Sequence, residues 1–206
     1  MDHANPAPRA TAALITLCLV AAVVACARLI RSGAVPTGPG RFGRGADLVH
    51  AVMLVAMAAM WSAAGAALPI TFWRSLFGMV AAVSLLWLIV GSARADSANR
   101  GEQAGAALYH CVAAIAMIYA TLTSHGSHSE HDQHATTHVT SPPIPAIGWF
   151  LVTLFVLDAL VVTVAAIRAP RQFGNTRPAT IAAVFPHATM DFTMAVMLVL
   201  ALRSPG

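Results

Sequence analysis

Six apolar stretches run through the chain, at about 11–30, 48–68, 70–91, 104–123, 146–167 and 180–202. Each is close to the ~20 residues that a helix needs to cross a bilayer. Hydrocarbon offers no water to exposed N–H and C=O groups, so each stretch must satisfy its own backbone and is expected to be helical. Composition agrees: 58% of the residues are hydrophobic and 10% are charged, which leaves little to face water. The expected fold is all-α: a single membrane domain over residues 1–206, built as a bundle of six transmembrane helices with the lipid bilayer as its partner.

Orientation follows from the positive charges, which are twelve Arg and no Lys. Arg28, Arg31, Arg41 and Arg44 flank the first loop, Arg94 and Arg100 lie in the third, and Arg168, Arg171 and Arg177 lie in the fifth. Only Arg9, Arg74 and Arg203 belong to the other side. The positive-inside rule then puts the odd loops in the cytoplasm and both termini outside, in a multi-pass protein of the plasma membrane. The net charge of +4 needs no nucleic acid to explain it. The first span could pass for a signal peptide, with Val23-Val24-Ala25-Cys26 faintly like a lipoprotein box. Its length, and Arg28 and Arg31 directly after it, favour an uncleaved helix. Cys18 and Cys26 lie about 12 Å apart along that helix and cannot form a disulfide with each other.

The loops differ in character. Pro69 is expected to break the chain between spans two and three and make them a tight antiparallel pair. Trp73 and Trp149 fall near span ends, where indole rings favour the membrane interface. The fourth loop, over about 124–145, carries His125, His128, His131, His134 and His138 with Glu130 and Asp132 among them. Its position between spans four and five places it outside.

The sharpest pattern lies within the spans. HAVMLVAMAAM at 50–60 and HATMDFTMAVM at 187–197 carry one His and three Met at the same four offsets. Offsets 0, 3, 7 and 10 fall within about 80° of arc on a helix, so His50, Met53, Met57 and Met60 form one stripe. His187, Met190, Met194 and Met197 form a second. Span four repeats the pattern thinly, with His110 and Met117. Spans two, four and six all run outward in this topology, which predicts that the three His share a layer with a Met layer roughly 10 Å further out. Met stripes are common packing devices, but ionisable His at membrane depth is rare and usually faces the bundle interior.

Thioether sulfur is soft and uncharged, so it selects Cu(I) and costs little to bury, and neutral imidazole suits copper as well. The two donors together suit a low-charge path or site for Cu(I). Asp47 and Asp191 lie beside the stripes, and Asp158 sits in the middle of span five. All three could orient His tautomers as acceptors behind the metal ligands. An isolated carboxylate near the bilayer centre costs ~3 kcal/mol, so Asp158 should have a partner, with His187 or His110 the first candidates. The external His-rich loop reads as labile capture of Cu(II), Zn(II) or Ni(II). Met1-Asp2-His3 offers a further weak Cu(II) chelate through a free amine and imidazole.

On the residues of the two paired stripes, the chain resembles an uncharacterised actinobacterial family of small polytopic membrane proteins, a domain of unknown function. That resemblance covers roughly 11–202 and implies the architecture without an activity. Three functions stay open: a copper-handling membrane protein, a membrane electron carrier with haem b bound by His50, His110 or His187, and a structural or assembly subunit without ligand. No catalytic residue set is evident, since the sequence has no HExxH, no phosphate loop and no accessible Ser/His/Asp group. A homo-oligomer or a copper-delivery partner is compatible with the sequence and not specified by it.

Overall fold

Proline marks where several helices begin, because it lacks the N–H that a first turn leaves unused anyway. The computed structural model describes residues 8–32, 41–94, 97–123, 144–168 and 177–203. Among these, seven helices and no strand occur: α1 (Pro8–Ser32), α2 (Arg41–Met60), α3 (Ala63–Ala66), α4 (Ile70–Arg94), α5 (Ser97–Thr123), α6 (Pro145–Arg168) and α7 (Arg177–Arg203). Pro8 and Pro145 open α1 and α6, and Pro69 directly precedes α4. The fold class is all-α. Five of the helices contain segments long and apolar enough to cross a membrane: Arg9–Arg31, Ile70–Val90, Gln103–Leu122, Pro145–Arg168 and Val184–Arg203.

The expected second span, 48–68, is not one helix. Its apolar part in α2 is the shorter Gly45–Met60, and α3 follows after a turn. The cause is Ser62. Its hydroxyl donates to the Ala59 carbonyl at 2.7 Å and accepts from the Gly65 N–H at 3.1 Å, ending one helix and capping the next. The Ser62 N–H also closes a tight turn onto Ala59 O at 2.9 Å. Gly65 makes this turn possible, since a Cβ there would overlap the Ala59 carbonyl.

The chain divides into two compact units, Met1–Pro69 with Val156–Thr193, and Ile70–Phe155 with Met194–Gly206. In the first unit, α1 packs on α2. Cys18, Ala21, Ala22 and Ala25 recur at the i, i+3, i+4, i+7 spacing of one helical face and are all buried. Ala51, Ala56 and Ala58 are buried on α2. Small side chains let two backbones approach closely where no hydrophobic drive separates helix from lipid. A polar tie joins the same two helices, with Arg28 Nε 3.4 Å from Asp47 Oδ1.

In the second unit, α4 packs on α5. Trp73 is buried and stacks on Phe77 at 6.3 Å between centroids. It therefore packs inward, whereas Trp149 is 48% exposed. Arg74 reaches the last turn of α5, where its Nη2 donates to Thr121 O at 3.3 Å. A cation there meets both an orphan carbonyl and the negative end of the helix dipole. The Tyr119 hydroxyl donates to Ile144 O at 3.0 Å, fastening α5 to the start of α6. Gly148 lets the helices close at that point, since a Cβ would stand 3.0 Å from the Tyr119 ring and 2.7 Å from Leu202. Leu86 and Ile89 of α4, with Phe150 and Leu154 of α6, are exposed apolar residues. Such an outer surface suits lipid.

Gly65→Ala should lower stability by about 2 kcal/mol, because no flexible side chain can yield to the new methyl. Gly78→Ala in α4, where nothing lies within 4 Å, should be neutral or stabilise by up to ~1 kcal/mol through helix propensity. Thermal unfolding of the two variants in detergent, read by circular dichroism, makes the comparison.

Candidate functional site

The α2 stripe is turned inward. Met53 and Met57 have no exposed surface and His50 is buried, while Leu48, Val52 and Val55 on the remaining face are exposed. Met60, the last residue of α2, is half-buried. On α7, Met190 and Met194 are likewise fully buried, His187 and Met197 are half-buried, and Phe192 faces outward. Within the first unit the two stripes approach at their histidines. His50 Nε2 lies 3.1 Å from His187 Nδ1, with the rings edge to face at 5.3 Å between centroids.

One proton must lie between those two nitrogens, and the far side of His187 decides which ring carries it. His187 Nε2 is 2.8 Å from Asp158 Oδ2 and 3.5 Å from Asp191 Oδ2. With a neutral imidazole, Nε2–H donates to the Asp158 carboxylate. Nδ1 is then left as the acceptor for His50 Nε2–H. His50, His187 and Asp158 so form one continuous hydrogen-bonded chain across α2, α7 and α6. Pro186, directly before His187 inside α7, lacks a backbone N–H and releases the Ala182 carbonyl four residues back from its helical bond.

A second contact fixes the register of the two helices. The Thr193 hydroxyl lies 3.6 Å from Met57 Sδ and 2.8 Å from its own Thr189 carbonyl. From His50 to Met57 is about 10 Å of rise, and from His187 to Thr193 about 9 Å. Advancing by similar amounts between contacts means that α2 and α7 run parallel, as the sequence predicts for spans two and six. Thr193 has no counterpart in the sequence reading. Its signal was weak: a hydroxyl residue one position before Met194, on the buried face.

The charges form a group the sequence reading left divided. The Nε2 of His187 and one oxygen each of Asp158 and Asp191 all lie within 4.8 Å of one another. The Asp191 side chain is fully buried, while that of Asp158 is 37% exposed. Asp47 is placed elsewhere. Its ion pair with Arg28 ties it to α1. Opposite charges on either side of loop one were the available clue to that pairing.

The second unit holds the other donors. His110 is buried on α5, with Nδ1 2.6 Å from the carbonyl of Ala106. This bond puts the proton on Nδ1 and leaves Nε2 with a lone pair. Met117 of α5 and Met194 of α7 are fully buried in this unit. His125, His128, His131, His134 and His138 lie outside the described residues, as do Met1, Asp2 and His3.

His187→Leu should cost about 2 kcal/mol, because it deletes two hydrogen bonds at once, to His50 and to Asp158. Asp158→Asn keeps an oxygen acceptor for Nε2–H and should cost less than ~1 kcal/mol. Thermal unfolding midpoints of the two proteins should differ accordingly.

The model of a family described as Domain of unknown function (DUF5134) matches residues 42–201. No curated protein and no solved structure matches the chain. The matched stretch contains His50, Asp158, His187 and Asp191 together with both Met stripes. The chain therefore belongs to the DUF5134 family, a domain of unknown function.

Proposed function

We propose that this protein is a copper-handling membrane protein that binds or passes Cu(I) through Met and His side chains. The observation that carries this reading is the contact between the two His residues that head the HxxMxxxMxxM stripes. His50 and His187 approach to 3.1 Å, and Met53, Met57 and Met190 lie fully buried on the same two helices. Soft uncharged sulfur beside imidazole favours Cu(I) over harder ions. Donors that need no deprotonation can also sit among apolar helices without importing charge. His110, Met117, Met194 and Met197 give the second unit donors of the same kind.

In this reading the chain is a single domain of six spans, with α2 and α3 forming the second. Both termini lie outside the plasma membrane, and the His-rich loop at about 124–145 captures metal there for delivery to the membrane donors. The haem alternative has less support. The His50 and His187 rings touch edge to face, which leaves no gap for a porphyrin between them, and additional Met residues would have no role. A purely structural stripe is also less economical, because a subunit without ligand has no use for imidazoles and carboxylates gathered where burial is costly.

Met→Leu substitutions nearly conserve volume, so Met57→Leu with Met190→Leu should preserve the unfolding midpoint. Cu(I) affinity should fall at least about tenfold, which is ~1.4 kcal/mol. The measurement is anaerobic competition with a chromophoric Cu(I) chelator on protein purified in detergent. An affinity equal to that of the unsubstituted protein would overturn the reading.

A further inference from the structure

Two carboxylates and an imidazole converge where the copper reading asks only for sulfur and nitrogen. We propose that Asp158, His187 and Asp191 form a binding site for a first-row divalent cation, separate in chemistry from the thioether donors. The proposal deepens the metal-handling reading by naming a second class of ion.

Geometry is the first support. His187 Nε2 stands 2.8 Å from Asp158 Oδ2 and 3.5 Å from Asp191 Oδ2, and the three ligand atoms fit within 4.8 Å. Ligands held at ~2.0–2.2 Å from one ion lie roughly 3–4.4 Å apart, so only small side-chain movements would close the set. Charge is the second support. Ionised, the pair contributes two negative charges, and the imidazole supplies at most one positive charge. Asp191 has no solvent exposure, so its charge lies in a low-dielectric setting where a nearby cation counts for more than in water. A divalent cation balances the pair completely.

Ligand type then selects the ion. Two carboxylate oxygens with one imidazole suit Zn(II), Mn(II), Fe(II) or Cu(II) better than Cu(I). His50 acquires a definite part. With an ion on Nε2, His187 carries its proton on Nδ1 and donates it to His50 Nε2, 3.1 Å away, while His50 shifts its own proton from Nε2 to Nδ1. A hydrogen bond behind the coordinating nitrogen fixes the ring orientation and raises its basicity. The three ligands come from the middle of α6 and from one face of α7, spaced i and i+4 on the latter. Two helices are therefore clamped by a single ion.

Zn(II) is a suitable probe because it has no redox chemistry. The parent protein should be the full chain with His125, His128, His131, His134 and His138 each changed to Ala, which removes the loop as a competing site. Isothermal titration in detergent should then give one Zn(II) per chain. Asp191→Asn should weaken binding at least about tenfold. Asp158→Asn, at a partly exposed position, should do the same and serves as the decisive variant if Asp191→Asn fails to fold. Met57→Leu with Met190→Leu should leave Zn(II) affinity unchanged. A parent protein that binds no Zn(II), or Zn(II) affinity indifferent to Asp158→Asn, would overturn the site. If Zn(II) binding behaves as stated while the Met substitutions leave Cu(I) affinity intact, the divalent site stands and the copper reading falls.

Discussion

A polar group buried among apolar helices must find its partner within the protein, because neither lipid nor packed side chains will supply one. That constraint shapes this chain at every scale. It makes each apolar stretch helical, since a helix is the one local way to satisfy every backbone group. It explains why Ser62 carries two bonds at the break between α2 and α3, and why Arg74 reaches over to a terminal carbonyl of α5. It also accounts for the chain running from His50 through His187 to Asp158. There each ring nitrogen of His187 has a neighbour to give to or take from.

The same constraint separates two kinds of donor. Methionine sulfur can be buried without a partner, so Met53, Met57 and Met190 are free to line a helix face at small cost. Carboxylates cannot. Asp47 is neutralised by Arg28 at the junction of α1 and α2, whereas Asp158 and Asp191 share an imidazole. A soft donor stripe and a hard donor cluster thus interleave along α7, with His187 common to both. Pro186 stands at the start of both. An ion of either class would meet His187, which makes that residue the pivot of any metal chemistry in the first unit.

Much of this was legible in the residues. Five of the six apolar stretches correspond to helices of spanning length, and the shared offsets of His50 and His187 point to helices that meet in parallel. Asp158 found a partner in His187, one of two candidates its depth suggested. Other features were not legible. The apolar run 48–68 hides a helix end, because Ser62 and Gly65 are individually ordinary in a membrane helix and act only as a pair around the Ala59 carbonyl. Trp73 sits near a span end, where indole rings usually anchor, and it is buried and stacks on Phe77.

By itself the sequence determined the periodicity: apolar runs long enough for helices, and donors confined to one face of each. Those properties depend only on local geometry, 100° of turn and 1.5 Å of rise per residue. Which acid serves which base was decided by tertiary structure. Asp47, three residues before His50, pairs with Arg28 of another helix, and Asp158, 29 residues from His187, lies 2.8 Å from it. Electrostatic partners are chosen by distance in space and by the cost of leaving a charge buried alone, and neither quantity is encoded in spacing along a chain.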